Sequence, residues 1–166
     1  MMKSLDYLKI CEKAIRQIQK GAFLVVKAGN KINMMTIGWA TIGYLWRKPM
    51  MIILVRNSRH TFNIIEKSDN FAVNVPLKNM AKEIEFCGTK SGRNFDKFKE
   101  CNFKTKKAQK IKTPVLDIPG IHFECRIAYK TAMNPKFLIK EYNYIYPKKD
   151  YHTLYFGEIL ACYNSK

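Results

Sequence analysis

Met50-Met51-Ile52-Ile53-Leu54-Val55-Arg56-Asn57-Ser58-Arg59-His60-Thr61 is an apolar run that stops abruptly at a polar turn carrying Arg56 and Arg59. Thr61 then opens a short amphipathic segment, Phe62-Asn63-Ile64-Ile65-Glu66-Lys67. The pattern reads as a buried strand, a turn and the start of a helix. Backbone N–H groups at a helix start, the hydroxyls of Ser58 and Thr61, and the guanidinium groups together favour an anion, most naturally a phosphate. A plainer reading is available. Ser58 or Thr61 caps the helix and the arginines are solvated loop charges. For this stretch alone the plainer reading is the commoner case, because capping residues are frequent.

Working outward, the flanking segments read mostly as strands. Ala22–Lys27 is an apolar run ended by the turn Ala28-Gly29-Asn30-Lys31. Residues 33–43 form one extended segment in which Gly38 and Gly43 allow close backbone approach or a bulge. Phe71–Val75 is a strand stopped by Pro76. From His122 to Lys130 the chain alternates, with Phe123, Cys125, Ile127 and Tyr129 on one face and Glu124, Arg126 and Lys130 on the exposed other. Pro114-Val115-Leu116 returns to the sheet, residues 133–147 form an aromatic-rich insertion, and Tyr151–Tyr163 is a long last strand. Helices are short: one from the Asn79 cap to Glu85, and a turn at Asn94–Phe98. Before the first strand, residues 1–20 hold an amphipathic helix capped by Ser4, with Leu5, Leu8, Cys11, Ile15 and Ile18 on one face and Gly21 at its end. Strands punctuated by glycine and proline with few helices between predict a mainly β chain, an antiparallel barrel or sandwich, with residues 21–166 as its one domain. A dinucleotide-binding G-x-G-x-x-G is missing.

Composition narrows the function classes. At 166 residues and 47% hydrophobic content the chain is long enough for a proper core. The net charge of +17 raises the question of nucleic acid. Yet 24 of the 30 basic residues are lysines, mostly scattered, and the densest group (Lys104, Lys106, Lys107, Lys110, Lys112) has no interleaved aromatics. A solvated surface is therefore expected, and no nucleic-acid or membrane partner. The cysteines form no C-x-x-C pair, and the histidines lie far apart, so no metal site is expected. Reduced thiols and the absence of a leader or a long apolar run point to a cytoplasmic protein.

Arginine is more telling than lysine, since Arg56, Arg59 and Arg93 fall in two hydroxyl-bearing loops. The second loop is Gly88-Thr89-Lys90-Ser91-Gly92-Arg93, which fails the P-loop spacing. Two such loops meet the requirement for holding a phosphomonoester. Thr36-Ile37-Gly38-Trp39-Ala40-Thr41 offers small residues beside a tryptophan, either a bulged core strand or a wall for a flat aromatic ligand.

Four motifs in order carry a resemblance: Asn33-x-x-Thr36-Ile37-Gly38-Trp39-Ala40-Thr41; Val55-Arg56-x-Ser58-Arg59-x-Thr61; Phe86-Cys87-Gly88-Thr89-Lys90-Ser91-Gly92-Arg93-x-x-Asp96-Lys97-Phe98; and Tyr151-His152-Thr153-Leu154-Tyr155-Phe156-Gly157-Glu158. Together they resemble the flavin reductase-like family of FMN-binding split barrels, over about Gly21 to Tyr163. The resemblance implies a six-stranded antiparallel split β-barrel, Greek-key-like, with short peripheral helices, dimerising around FMN. It implies that Arg56, Ser58, Arg59 and Thr61, with Asn57, Lys90 and Ser91 beside them, hold the phosphate and ribityl chain. Asn33 and Thr36, Ile37, Gly38, Trp39, Ala40 and Thr41 would line the ring, with Cys87 and Gly88 near the same groove. His60 is either a ligand contact or part of the turn. His152 is either near the flavin or a hydrogen-bonded strand residue. The implied activity passes electrons from NAD(P)H or a reduced redox protein, through FMN, to flavin, ferric iron or a protein acceptor. The alternative is a non-catalytic flavin store, or a basic module for an acidic redox partner or nucleic acid, on the same barrel. Hydride transfer by a flavin needs no protein acid or base, so no catalytic residue is assigned.

Overall fold

The computed structural model describes residues 4–165. Helix α1 (Ser4–Ile18) precedes strands β1 (Ala22–Ala28), β2 (Lys31–Ile37), β3 (Ala40–Leu45) and β4 (Lys48–Arg56). Helix α2 (His60–Ile65), strand β5 (Asn70–Pro76) and helices α3 (Ala81–Thr89) and α4 (Lys97–Glu100) follow. A short ribbon of β6 (Thr105–Lys106) and β7 (Val115–Leu116) leads into the long strands β8 (Gly120–Ala132) and β9 (His152–Ser165).

The main sheet is antiparallel with the order β2-β1-β5-β8-β9-β4-β3. Its edge strands, β2 and β3, are neighbours in the chain, separated only by Gly38 and Trp39. So short a link spans about 10 Å at most. The opposite edges must therefore meet at that corner, and the sheet curls into a barrel that stays open where the edges diverge. The sequence reading gives six strands. The sheet has 7, because residues 33–43 break at Gly38-Trp39 into separate strands that serve as opposite edges.

Alternating side chains of β1, β4, β5 and β8 fill the barrel: Leu24, Val26, Met51, Ile53, Val55, Phe71, Val73 and Phe123 belong to one buried cluster. The outer faces of β1 and β5 are covered too. Phe23, Val25 and Ala72 pack beneath Cys87 and Leu116 in a second cluster. Coverage on both faces explains why β5 is buried along its whole length, including Asn74, whose amide donates to the Phe23 carbonyl and accepts from the Leu116 N–H.

Some expectations change. On α1 the buried positions are Cys11, Ala14 and Ile18, whereas Ile15 is 42% exposed, so the face runs through the small Ala14. The side chains of Ser4, Leu5 and Leu8 lie outside the described residues. Pro114-Val115-Leu116 does not rejoin the main sheet; β7 pairs with β6. Glu124 is fully buried. Its carboxylate accepts hydrogen bonds from the backbone of Gln109 and Lys110 and from the Tyr163 hydroxyl, pinning the lysine-rich stretch to the sheet. Alternation identifies the buried face of β8 as far as Ile127, but a bulge between Ile127 and Tyr129 breaks it and leaves Tyr129 50% exposed. Nor can alternation show that a loop covers the outer face at Glu124.

Gly157 on β9 lies opposite Ile127, beside a bulge in β8. A methyl group there would sit 2.5 Å from Phe71 Cζ and 2.7 Å from Cys125 Cβ. Gly157→Ala is expected to lose about 1–3 kcal/mol of stability through overpacking, measurable as a lower urea midpoint with an unchanged m-value.

Candidate functional site

The open side of the barrel is built where β2 ends, β4 ends and β9 begins. A cavity of about 210 Å³ lies there, lined by Met35, Thr36, Ile37, Gly38 and Trp39 from β2 and the link, Leu54 and Arg56 from β4, Gly88 from α3 and His152 from β9. Arg59 closes one end. Beyond Arg59 a second cavity of about 170 Å³ is walled by the turn Ser58–Thr61 and by Thr89–Arg93, with Asn33 and Lys97. Neither volume alone reaches the few hundred Å³ usual for a cofactor site. The shared Arg59 places them side by side as two neighbouring lobes.

The lobes differ in chemistry. The first sets Met35, Ile37, Leu54 and the indole of Trp39 beside Thr36, Arg56 and His152, the Trp39 ring centroid lying 5.2 Å from that of His152. Thr36 donates its hydroxyl hydrogen to the Ile84 carbonyl, which draws α3 against β2. The second lobe gathers the cations Arg59, Lys90, Arg93 and Lys97 with no carboxylate among its lining residues. Arg93 donates to the Ser58 carbonyl at 3.2 Å, linking the two loops. Gly92 is required at the junction: a methyl there would collide with the Asn33 amide, which donates to the Thr61 hydroxyl at 2.9 Å. Asp150 flanks the lobe, its carboxylate accepting from the Ser58 N–H and hydroxyl.

Burial tunes these groups. Lys97 is 2% exposed, and its ammonium donates to the Cys87 carbonyl at 2.7 Å. Burial, then Arg59, lowers its pKa to about 8. Arg59 donates to the same carbonyl, and burial followed by Arg56 presses its pKa down against the pull of Asp150. Burial, then Arg56, brings His152 down to about 4, so its ring is neutral at physiological pH. The Tyr146 hydroxyl fixes that ring through Nδ1 at 2.7 Å. His60 is also lowered, by burial and then Arg93, Lys31 and Lys97. Its Nδ1 is buried without a hydrogen-bond partner.

The plainer capping reading of the turn does not hold. Helix α2 has Arg59 at its N-cap position with no side-chain cap. Thr61 is buried and bonded to Asn33, and Ser58 is bonded to Asp150. Nor are the arginines merely solvated. Arg56 donates to the carbonyls of Asp150 at 2.9 Å and Ile145 at 3.2 Å, and its guanidinium lies 5.1 Å over the Tyr146 ring.

The residues named from the sequence therefore fall into groups. Thr36, Ile37, Gly38, Trp39, Arg56, Gly88 and His152 line the first lobe. Asn33, Ser58, His60, Thr61, Lys90 and Ser91 line the second, and Arg59 lines both. Ala40, Thr41, Asn57 and Cys87 line neither. Asn57 accepts from the Thr153 hydroxyl at 2.9 Å, and Cys87 sits behind the wall. The loop expected over Gly88–Arg93 begins as helix, since α3 continues to Thr89. Sequence reasoning missed the burial of Lys97, one lysine among 24. It also missed Asp150 and Tyr146, which reach the site from the insertion.

The model of the flavin reductase like domain matches residues 15–166. The chain belongs to this family. Among relatives of this flavin reductase-like chain, an uncharacterised protein of Pyrococcus abyssi is 28% identical over 143 residues, covering 84% of this chain and 70% of that one. Flavoredoxin of Methanosarcina acetivorans superposes with a TM-score of 0.69 at 25% identity, over 88% of this chain and 68% of its own. An FMN-binding protein of Thermus thermophilus shares the fold, with a TM-score of 0.68 at 17% identity over 87% of this chain and 69% of its own.

Because Arg56 grips the insertion through its backbone, Arg56→Ala should free residues 133–150. Hydrogen exchange there should speed up severalfold while the exchange of β1 and β5 stays unchanged.

Proposed function

We propose that the chain binds FMN in this groove and acts as a flavin reductase-like oxidoreductase. It would take electrons from NAD(P)H or a reduced redox protein and deliver them to flavin, ferric iron or a protein acceptor. One observation carries the reading: a lobe walled by the Gly38-Trp39 link and a cationic lobe with no carboxylate among its lining residues share Arg59. The fit to a flavin mononucleotide rests on the donor set: Arg59, Lys90, Arg93 and Lys97 line one lobe with the Ser58, Thr89 and Ser91 side chains and no carboxylate, which suits a phosphate. The fold shared with an FMN-binding protein and with flavoredoxin supports the same assignment.

When bound, FMN supplies the hydride and electron chemistry. The chain's own residues bind and orient. Arg59, Lys97, Lys90 and Arg93 neutralise a phosphate, with Arg59 placed to hold the ligand where the lobes join. The link Gly38-Trp39 and the strand end before it give a flat wall. His152, neutral and fixed by Tyr146, offers a hydrogen bond to the ligand or substrate without adding charge to the first lobe. Arg56 braces the insertion, with one N–H of each terminal nitrogen given to a carbonyl.

Homodimerisation is part of the proposal. Trp46, Tyr129 and Phe156 form an aromatic cluster in mutual contact, and Trp46 is 57% and Tyr129 50% exposed. A second copy would cover it. Scattering at micromolar concentration should report twice the mass of the chain, and a monomer there would remove this part.

The phosphate assignment is checked by titrating the protein with FMN and with riboflavin. Arg59→Ala should weaken FMN by about 2 kcal/mol, roughly thirty-fold, and riboflavin far less. Equal losses would place the phosphate elsewhere. A pH series tests Lys97 separately. Its charge is present below about 8 and lost above it. FMN affinity should therefore fall as pH rises through that value while riboflavin affinity stays level, and Lys97→Met should flatten the FMN profile.

A further inference from the structure

Behind the cationic lobe lies a thiol pair that the flavin reading does not use. The Sγ atoms of Cys87 on α3 and Cys101 at the end of α4 are 3.8 Å apart. Cys87 is fully buried, whereas Cys101 is only partly so. We propose that Cys87 and Cys101 are a reversible two-electron redox pair whose closure to a disulfide loosens the anion lobe. The effect on cofactor binding rests on the FMN reading above; the pair itself does not.

The coupling follows from what Cys87 holds. Its carbonyl accepts from both Lys97 Nζ and Arg59 Nη2, the cations of the lobe. Lys97 and Cys101 sit one turn apart on α4, where the Cys101 N–H bonds to the Lys97 carbonyl. The same short helix thus reaches Cys87 twice, through a thiol and through an ammonium. A disulfide needs a sulfur separation of about 2 Å, so closure draws the end of α4 inward by nearly the same amount. Lys97 cannot follow, because its nitrogen is already 2.7 Å from the carbonyl. Either the ammonium is pushed off or the carbonyl turns away, and Arg59 loses the same acceptor.

With hydrogen peroxide as oxidant the step balances. Cys101, the more accessible thiol, attacks one peroxide oxygen; the O–O bond breaks and the leaving hydroxide takes up the thiol proton as water. Cys87 sulfur then displaces the hydroxyl of the Cys101 sulfenic acid, its own proton completing a second water as the S–S bond forms. The thiols lose two electrons, the peroxide gains them, and an external dithiol reverses the change by exchange. Burial, the largest cause, lifts Cys87 up to about 12 and raises Cys101, with Lys97 pulling both down and Glu83 opposing it. Thiols held protonated in this way react slowly with mild oxidants.

The test treats the full-length protein with hydrogen peroxide, alkylates the remaining thiols after unfolding, and maps the peptides by mass spectrometry. A Cys87–Cys101 linked peptide that dithiothreitol removes and Cys101→Ser abolishes is expected. Absence of that link, or a link among Cys11, Cys125 and Cys162 instead, overturns the pair. The coupling is read without flavin by hydrogen exchange. Residues 57–62 and 89–97 should exchange at least severalfold faster after oxidation and recover on reduction; no change there overturns the coupling. FMN affinity should fall roughly tenfold on oxidation. Failure of the reduced protein to bind FMN would sink the cofactor reading alone, since the peptide map and the exchange data judge the thiols independently.

Discussion

Everything in this molecule depends on a corner made by Gly38 and Trp39. These residues alone join the opposite edges of the sheet, so the strands between them have to curl until the edges touch. The same corner leaves a gap where the edges part, and the first lobe of the groove occupies it. Closing the barrel and opening the site are thus one geometric event. Hydrophobic burial supplies the driving force, through an interior cluster and a second cluster under α3. The corner decides the shape that burial takes.

Electrostatics divides the labour within the groove. Arg56 and Arg59 are near in sequence and alike in chemistry, yet their partners differ. Arg56 is spent on carbonyls of the insertion. Arg59 shares the Cys87 carbonyl with Lys97, a neutral acceptor, and Asp150 offsets only part of the charge of Arg59. Concentrating positive charge in a buried place is costly for the folded chain. The lowered pKa values of Arg59 and Lys97 reflect that cost. An anionic ligand would offset it.

Much of this was legible beforehand, for identifiable reasons. Apolar runs and turn residues located the strands, because burial and backbone geometry leave local marks. The turn Arg56–Thr61 was visible as an anion-binding candidate, and the structure sets it against Thr89–Arg93. What stayed hidden was non-local. That residues 33–43 split into opposite edges of the sheet depends on the closing of the barrel. Glu124 looked exposed because its partners come from a loop over ten residues upstream. Lys97 looked like any other lysine, and its burial is a property of how α4 docks. The assignment of Arg56 as a brace needed the insertion, whose aromatic composition says little about where it lies.

The bond between Arg56 and the insertion has one more consequence. Its acceptors are main-chain carbonyls of Ile145 and Asp150, which every amino acid carries. The latch therefore reads the path of the loop and is indifferent to most of its spelling. Exposed positions such as Phe137 and Tyr144, 85% and 77% accessible, can drift without unhooking it. Natural variation, or a designer's library, has a mouth to rewrite at residues 136–144 while the barrel behind it stays the same.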